Sequence, residues 1–179
     1  ISDSDSYMER TFMSPAWNRA AKLIEDWMIE AGLEVRMDEV GNIHGRTPAE
    51  KSNPGPALYL GSHFDTVIDG GKYDGALGVV TAINAVKALL LSTNDTLLRP
   101  IEIIAIGDED SSRFASFFSS RILTGELIRS NELNTLVDDS GKSLSEVLTE
   151  NGLDGSPEAV AKAAIDPADI YAFVELHIE

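Results

Sequence analysis

Short apolar runs separated by a helical pattern constrain this chain more than any other feature. Residues 57–60 and Ile101–Ile106 are too short for core helices and too apolar for surface loops, so they read as buried strands. Between them, residues 77–91 carry Val80, Ile83, Ala85, Val86, Leu89 and Leu90 on one broad side, the spacing of a helix. A further strand, 171–176, follows near the end. Strands alternating with helices predict an α/β fold, a mixed, mostly parallel sheet with helices on both faces.

Punctuation fills in the rest. Ser14 before Pro15 is a helix start, and Trp17, Ala20, Ala21, Ile24, Trp27 and Met28 form an apolar stripe that stops at Gly32. Residues 33–37 and 42–46 read as a strand with its continuation or hairpin partner, and 47–56 as a loop. Residues 114–127 are expected to be one helix, and 144–150 and 157–164 short ones. Residues 1–13 read as a polar lead-in.

Composition narrows the function classes. The 14 Lys and Arg stand against 30 Asp and Glu, a net charge of −16. Such a chain repels phosphate backbones and anionic headgroups, which argues against nucleic-acid and membrane partners. With no cysteine, thiolate zinc sites and a Cys nucleophile are excluded. No apolar run is long enough to span a bilayer. The opening ISDSDSYMER lacks the marks of a signal peptide, though the first residue is not Met.

The candidate chemistry lies at the ends of the apolar strands. The first delivers His63 and Asp65, the second Asp108-Glu109-Asp110, and the third Glu175 and His177, while Asp74 sits in a Gly-rich turn before the 77–91 helix. Ligands of open α/β sheets bind where strand carboxyl ends meet, so these groups can converge. Imidazoles and carboxylates without thiolates suit a hydrolytic zinc or manganese site. Adjacent Glu109 and Asp110 permit one carboxylate to bind metal while the other takes a proton from the attacking water. Singly, each motif has an ordinary reading: a hydrogen-bonded histidine, a solvated acidic loop, a turn feeding a helix. His44, inside the GNIHGR strand pattern, is assigned a structural role.

Read together, GSHFDTVIDGGKYDGALGV, IGDEDSSRF and ELHIE resemble the M20 metallo-amidohydrolases, in the branch of allantoate amidohydrolases and N-carbamoyl-amino-acid hydrolases. RTFMSPA, GNIHGR and HFDTVIDGGKYDG are most similar to the plant-type allantoate enzymes. The resemblance implies two divalent ions, manganese favoured over zinc, with His63, Asp74, Asp110 and His177 as ligands. It implies that Asp65 orients His63 and that Glu109 is the general base. The implied reaction is hydrolysis of a small-molecule substrate, allantoate, with N-carbamoyl amino acids, ureidoglycolate or a dipeptide as alternative substrates on the same scaffold. The rival from another class is a non-catalytic metal-binding or interaction fragment, favoured by Asp110 and Ser111.

Two departures accompany the resemblance. The family's DEEG-x-RF reads here Asp108-Glu109-Asp110-Ser111-Ser112-Arg113-Phe114, with the ligand shortened to Asp and the glycine replaced by Ser111. Members also continue beyond an ELH motif through a dimerising lid. Residues 14–179 are therefore expected to be the N-terminal part of the catalytic domain, inactive alone, and the whole protein a homodimer. The chain is expected to be soluble, in the endoplasmic reticulum if a plant-type signal segment has been removed and otherwise in the cytoplasm.

Overall fold

The computed structural model describes residues 1–114, 117–130 and 132–178. Helix α1 (Pro15–Glu30) starts where Ser14 accepts the Trp17 N–H and ends before Gly32, whose φ of +83° releases the chain into β1 (Glu34–Met37). A tight turn returns β2 (Ile43–Arg46) antiparallel to β1. Strand β3 (Ala57–His63), helix α2 (Ala76–Ser92) and strand β4 (Ile101–Ile106) form a βαβ unit with the strands parallel. After the short helices α3 (Phe118–Leu123), α4 (Glu126–Ser130), α5 (Leu144–Glu150) and α6 (Pro157–Val160), β5 (Ile170–Glu175) joins β3 in parallel.

The sheet order is β1-β2-β4-β3-β5, and only β2 runs against the other four strands, so the mixed, mostly parallel α/β sheet is observed. Alternate β4 residues serve opposite faces. Ile101, Ile103 and Ala105 pack in the main core with Ile24 and Met28 of α1 and Ile83 and Val86 of α2. Ile104 and Ile106 join Ala57, Tyr59 and Leu123 in a smaller cluster on the other side. The parallel strands therefore deliver His63, Gly107 and Glu175 to one sheet edge. Among the described residues no helix is long and apolar enough to cross a membrane.

Three expectations change. The lead-in is polar only at first, because Arg10, Phe12 and Met13 are buried. Phe12 packs edge-on against Trp17 and Phe118, with ring centroids 5.4 and 5.1 Å apart. The helix expected over 114–127 is two helices offset from it, broken at Thr124-Gly125, where Gly125 takes φ +69°. Residues 115 and 116 of that stretch lie outside the described residues, as does Glu179. Helix α2 buries Val79, Ala82, Ile83 and Val86, whereas Val80 and Leu89 face solvent, because its apolar residues surround the helix and packing alone selects the face.

Candidate metal centre

The first part of the site is the end of β3. His63 and Asp65 are fully buried, and the His63 ring presents Nδ1 to the Asp65 carboxylate at 3.2 Å. That contact turns Nε2 outward, as a carboxylate partner does for a metal-binding imidazole. The turn is clamped by a residue the motifs did not single out. Arg10 donates from Nε to the Phe64 carbonyl, its backbone N–H goes to Thr66 Oγ1 at 2.9 Å, and its carbonyl accepts the Thr66 N–H at 3.0 Å. An arginine beside the buried Phe12 was the available signal, because a buried guanidinium needs fixed acceptors.

Three donor atoms meet beyond Nε2. His177 Nε2 lies 3.1 Å from His63 Nε2, and Asp74 Oδ1 lies 3.5 and 3.6 Å from those two nitrogens. Glu109 Oε2 is 3.7 Å from His63 Nε2, and the ligand atoms of His63, Glu109 and His177 all lie within 4.8 Å of one another. Donors arranged tetrahedrally at about 2.0–2.2 Å from an ion stand about 3.4 Å apart, so these spacings fit a shared cation. Asp74 Oδ1 and Asp110 Oδ2 are also buried without hydrogen-bond partners. Orphaned carboxylate oxygens are costly unless a cation satisfies them. The residues present can hold a divalent ion.

Helix α2 is fitted to this cluster through glycine. Gly75 has φ +61° and ψ −50°, with the Ala76 N–H reaching the Asp74 carbonyl at 2.5 Å, so the chain reverses in a single-residue γ-turn. A Cβ at Gly75 would lie 2.5 Å from Cγ, Cδ2 and Nε2 of His63. Gly78, one turn on, packs as closely on Ser62.

The acidic loop supplies the rest. Glu109 donates its backbone N–H to Asp65 Oδ1 at 3.0 Å, which ties the loop to the His63 turn. Burial raises the pKa of Glu109 and of Asp110, partly countered by the His63 charge. Burial, then the neighbouring Asp65, pushes Asp108 well above the carboxylate range. Burial disfavours the charged His63 ring, but the Asp65 hydrogen bond and the charges of Asp65, Asp110 and Glu109 outweigh it and lift His63 to about 9. The site is thus a concentrated negative field facing imidazoles.

Of the six residues expected here, His63, Asp65, Asp74, Glu109 and His177 are brought together. Asp110 stands beside them, close enough for its charge to act on His63, but outside the three-residue cluster. Ser111, where the resemblance expects glycine, takes φ +54°. Glu175 is outside the three-residue cluster, and Ser62 Oγ donates to its Oε1 at 2.8 Å.

The chain is similar to several known proteins. A sequence model described as peptidase family M28 matches residues 42–177; its label differs from the M20 named from the motifs. The chain is 43% identical over 180 aligned residues to the "Allantoate deiminase" of Arabidopsis thaliana, covering 100% of this chain and 34% of that protein. It is 42% identical over 154 residues to an "N-carbamoyl-L-amino-acid amidohydrolase" of Paenarthrobacter aurescens, covering 85% and 36%. Both belong to the branch that the motifs resemble. A crystal structure of AtUAH in complex with (S)-hydroxyglycine superposes with a TM-score of 0.89 at 33% identity, covering 99% of this chain and 43% of that one. The chain spans about a third of the length of the curated relatives it matches.

Proposed function

Since the chain belongs to peptidase family M28, we propose that it carries the metal-binding half of an amidohydrolase whose substrate is allantoate. The products would be ureidoglycine, ammonia and carbon dioxide, formed with consumption of one water. The observation that carries this reading is the mutual approach of His63 Nε2, His177 Nε2 and Asp74 Oδ1 to 3.1–3.6 Å at the sheet's carboxyl edge. The allantoate assignment is supported by the 43% identity to the Arabidopsis protein across this whole chain.

In this reading His63, Asp74, His177 and Asp110 would hold two divalent ions. Manganese is favoured over zinc. The bound ions supply Lewis-acid polarisation of the scissile carbonyl and acidify water. The protein's own groups do the remainder. Asp65 holds the His63 ring through Nδ1 so that Nε2 faces the donors. Glu109 takes the proton of the attacking water at Oε2 and passes it to the departing nitrogen. Its raised pKa suits that exchange, since a base works best when its pKa approaches the working pH.

A second reading, hydrolysis of N-carbamoyl-L-amino acids, is favoured by the 42% identity to the Paenarthrobacter protein. Both substrates carry a ureido C–N bond beside a carboxylate, so the same machinery serves either. Product release from the manganese-loaded whole protein separates them, read as ammonia with allantoate, N-carbamoyl amino acids and ureidoglycolate and as free amino acids with dipeptides. Turnover highest on allantoate supports the proposal, and preference for another member of the panel overturns it.

A further inference from the structure

Asn42 and His44, in the GNIHGR segment, have no part in the chemistry above. Both are buried, Asn42 completely, and they belong to one continuous polar chain. His44 Nδ1 meets Glu102 Oε1 at 2.9 Å, and Arg46 donates to the other oxygen of that carboxylate. His44 Nε2 lies 3.3 Å from Asp38 Oδ2, which also accepts the Asn42 Nδ2–H at 2.8 Å. Asp38 Oδ1 accepts the backbone N–H groups of Val40 and Asn42 at 3.0 and 2.8 Å. Asn42 Oδ1 then accepts the Gly107 N–H at 2.9 Å, and the Gly107 carbonyl accepts Trp17 Nε1–H at 2.7 Å. Buried side chains thus hold both backbone polar groups of Gly107, where β4 stops and Asp108-Glu109-Asp110 begins.

We propose that Asn42, oriented by Asp38 and His44, is a positioning residue: its carboxamide anchors Gly107 and thereby sets where Glu109 and Asp110 stand relative to His63. The proposal rests on the metal-hydrolase reading above. Chemistry fixes the direction of the relay. Asp38 Oδ2, as acceptor, takes the NH2 of Asn42, which leaves only the amide oxygen for Gly107. The relay is costly, because Asp38, His44 and Glu102 are all desolvated and an apolar hairpin would avoid that. Among the described residues, the relay's only hydrogen bond to the segment after β4 is the Gly107 bond. Gly107 has no room to drift, since a Cβ there would stand 2.9 Å from Trp17 Cζ2 and 3.2 Å from the Gly41 carbonyl. Partners that orient metal ligands are worth about 10- to 100-fold in affinity.

The test compares Asn42→Leu, which keeps side-chain size but removes the acceptor, with Ile103→Val, a buried core change on the face of β4 opposite Glu102 that removes no polar group of the relay. Mn2+ affinity by titration calorimetry and the Co2+ absorption bands are read beside the urea midpoints. Asn42→Leu is expected to lose about 10- to 100-fold in Mn2+ affinity and to alter the Co2+ bands, while Ile103→Val keeps both. Equal Mn2+ affinity in the two variants overturns the positioning role while leaving the metal reading intact. Wild type that binds neither Mn2+ nor Co2+ overturns the metal reading and this proposal with it. If Asn42→Leu does not fold, Zn2+ titration of the wild type by NMR decides: the Gly107 N–H and Asn42 side-chain amide resonances should shift, and unmoved resonances overturn the proposal.

Discussion

Gly75→Ala should damage the metal centre without touching a donor atom. The γ-turn places residue 75 at φ +61° and ψ −50°, a conformation that costs an L residue about 1–3 kcal/mol. The added Cβ would also stand 2.5 Å from three atoms of the His63 ring. Carbon atoms in contact prefer about 3.5–4.0 Å, so the ring or the start of α2 must move by about 1 Å. Metal–imidazole bonds hold to about 2.0–2.1 Å and do not absorb such a shift. We expect a stability loss of about 1–3 kcal/mol by urea unfolding, together with at least a tenfold loss of Mn2+ affinity by calorimetry, on the order of what disturbed ligand orientation costs. Gly32→Ala is the control. It also has a positive φ, +83°, but nothing lies within 4 Å of its Cβ, so it should lose stability and keep metal affinity. Undiminished Mn2+ binding by Gly75→Ala would refute the close-approach argument.

Further outcomes follow from the same geometry. Glu109→Gln keeps shape but cannot accept a proton, so the whole protein should retain metal and lose about 10²- to 10⁴-fold in kcat; near-normal turnover removes Glu109 as base. Asp110→Asn should weaken one of two Mn2+ binding steps in calorimetry, and two unchanged steps would leave Asp110 as part of an acidic loop only. With His63 at about 9 in the metal-free protein, its proton competes with the ion, so Mn2+ affinity should rise about tenfold per pH unit from 7 toward 9 and then level off. A flat profile across that window counts against His63 as ligand. Burial works against the Asp138 carboxylate, but hydrogen bonds from Ser140, Lys142 and Arg113 hold it down to about 2. Its stabilisation is therefore complete above the ordinary aspartate pKa and lost as pH falls through about 2. Asp138→Ala should cost about 1–2 kcal/mol at pH 7 and almost nothing near pH 2 by urea unfolding.

What the sequence made legible is what local periodicity encodes. The runs that became β3 and β4 were visible because a strand buried on both faces has few polar positions, while β5, mostly exposed at the sheet edge, was visible by its apolar run alone. Their shared carboxyl edge then brought His63, Glu109 and His177 into one place. The break at Gly125 was missed because the apolar spacing from 114 to 127 continues through it. Arg10 and Asn42 were missed for a different reason: their partners Phe64 and Gly107 lie 54 and 65 residues away, and no pattern along the chain records such a pairing.

Ser111 joins the two kinds of information. The resemblance expects glycine there, and the backbone shows why, since φ +54° is left-handed and glycine adopts it without penalty. A serine in that conformation costs about 1–2 kcal/mol. Part of this is offset where Ser111 Oγ accepts the Phe117 N–H at 3.0 Å, a bond glycine cannot form. The neighbouring Asp110, one methylene shorter than the Glu expected there, keeps an orphaned carboxylate oxygen. Both departures thus fall in the stretch that must hold a fixed shape for metal binding. A strained residue persists only where its surroundings over-determine it. Here the Glu109–Asp65 bond before Ser111, with the Arg113–Asp138 pair and the Ser111–Phe117 bond after it, hold the loop from both sides.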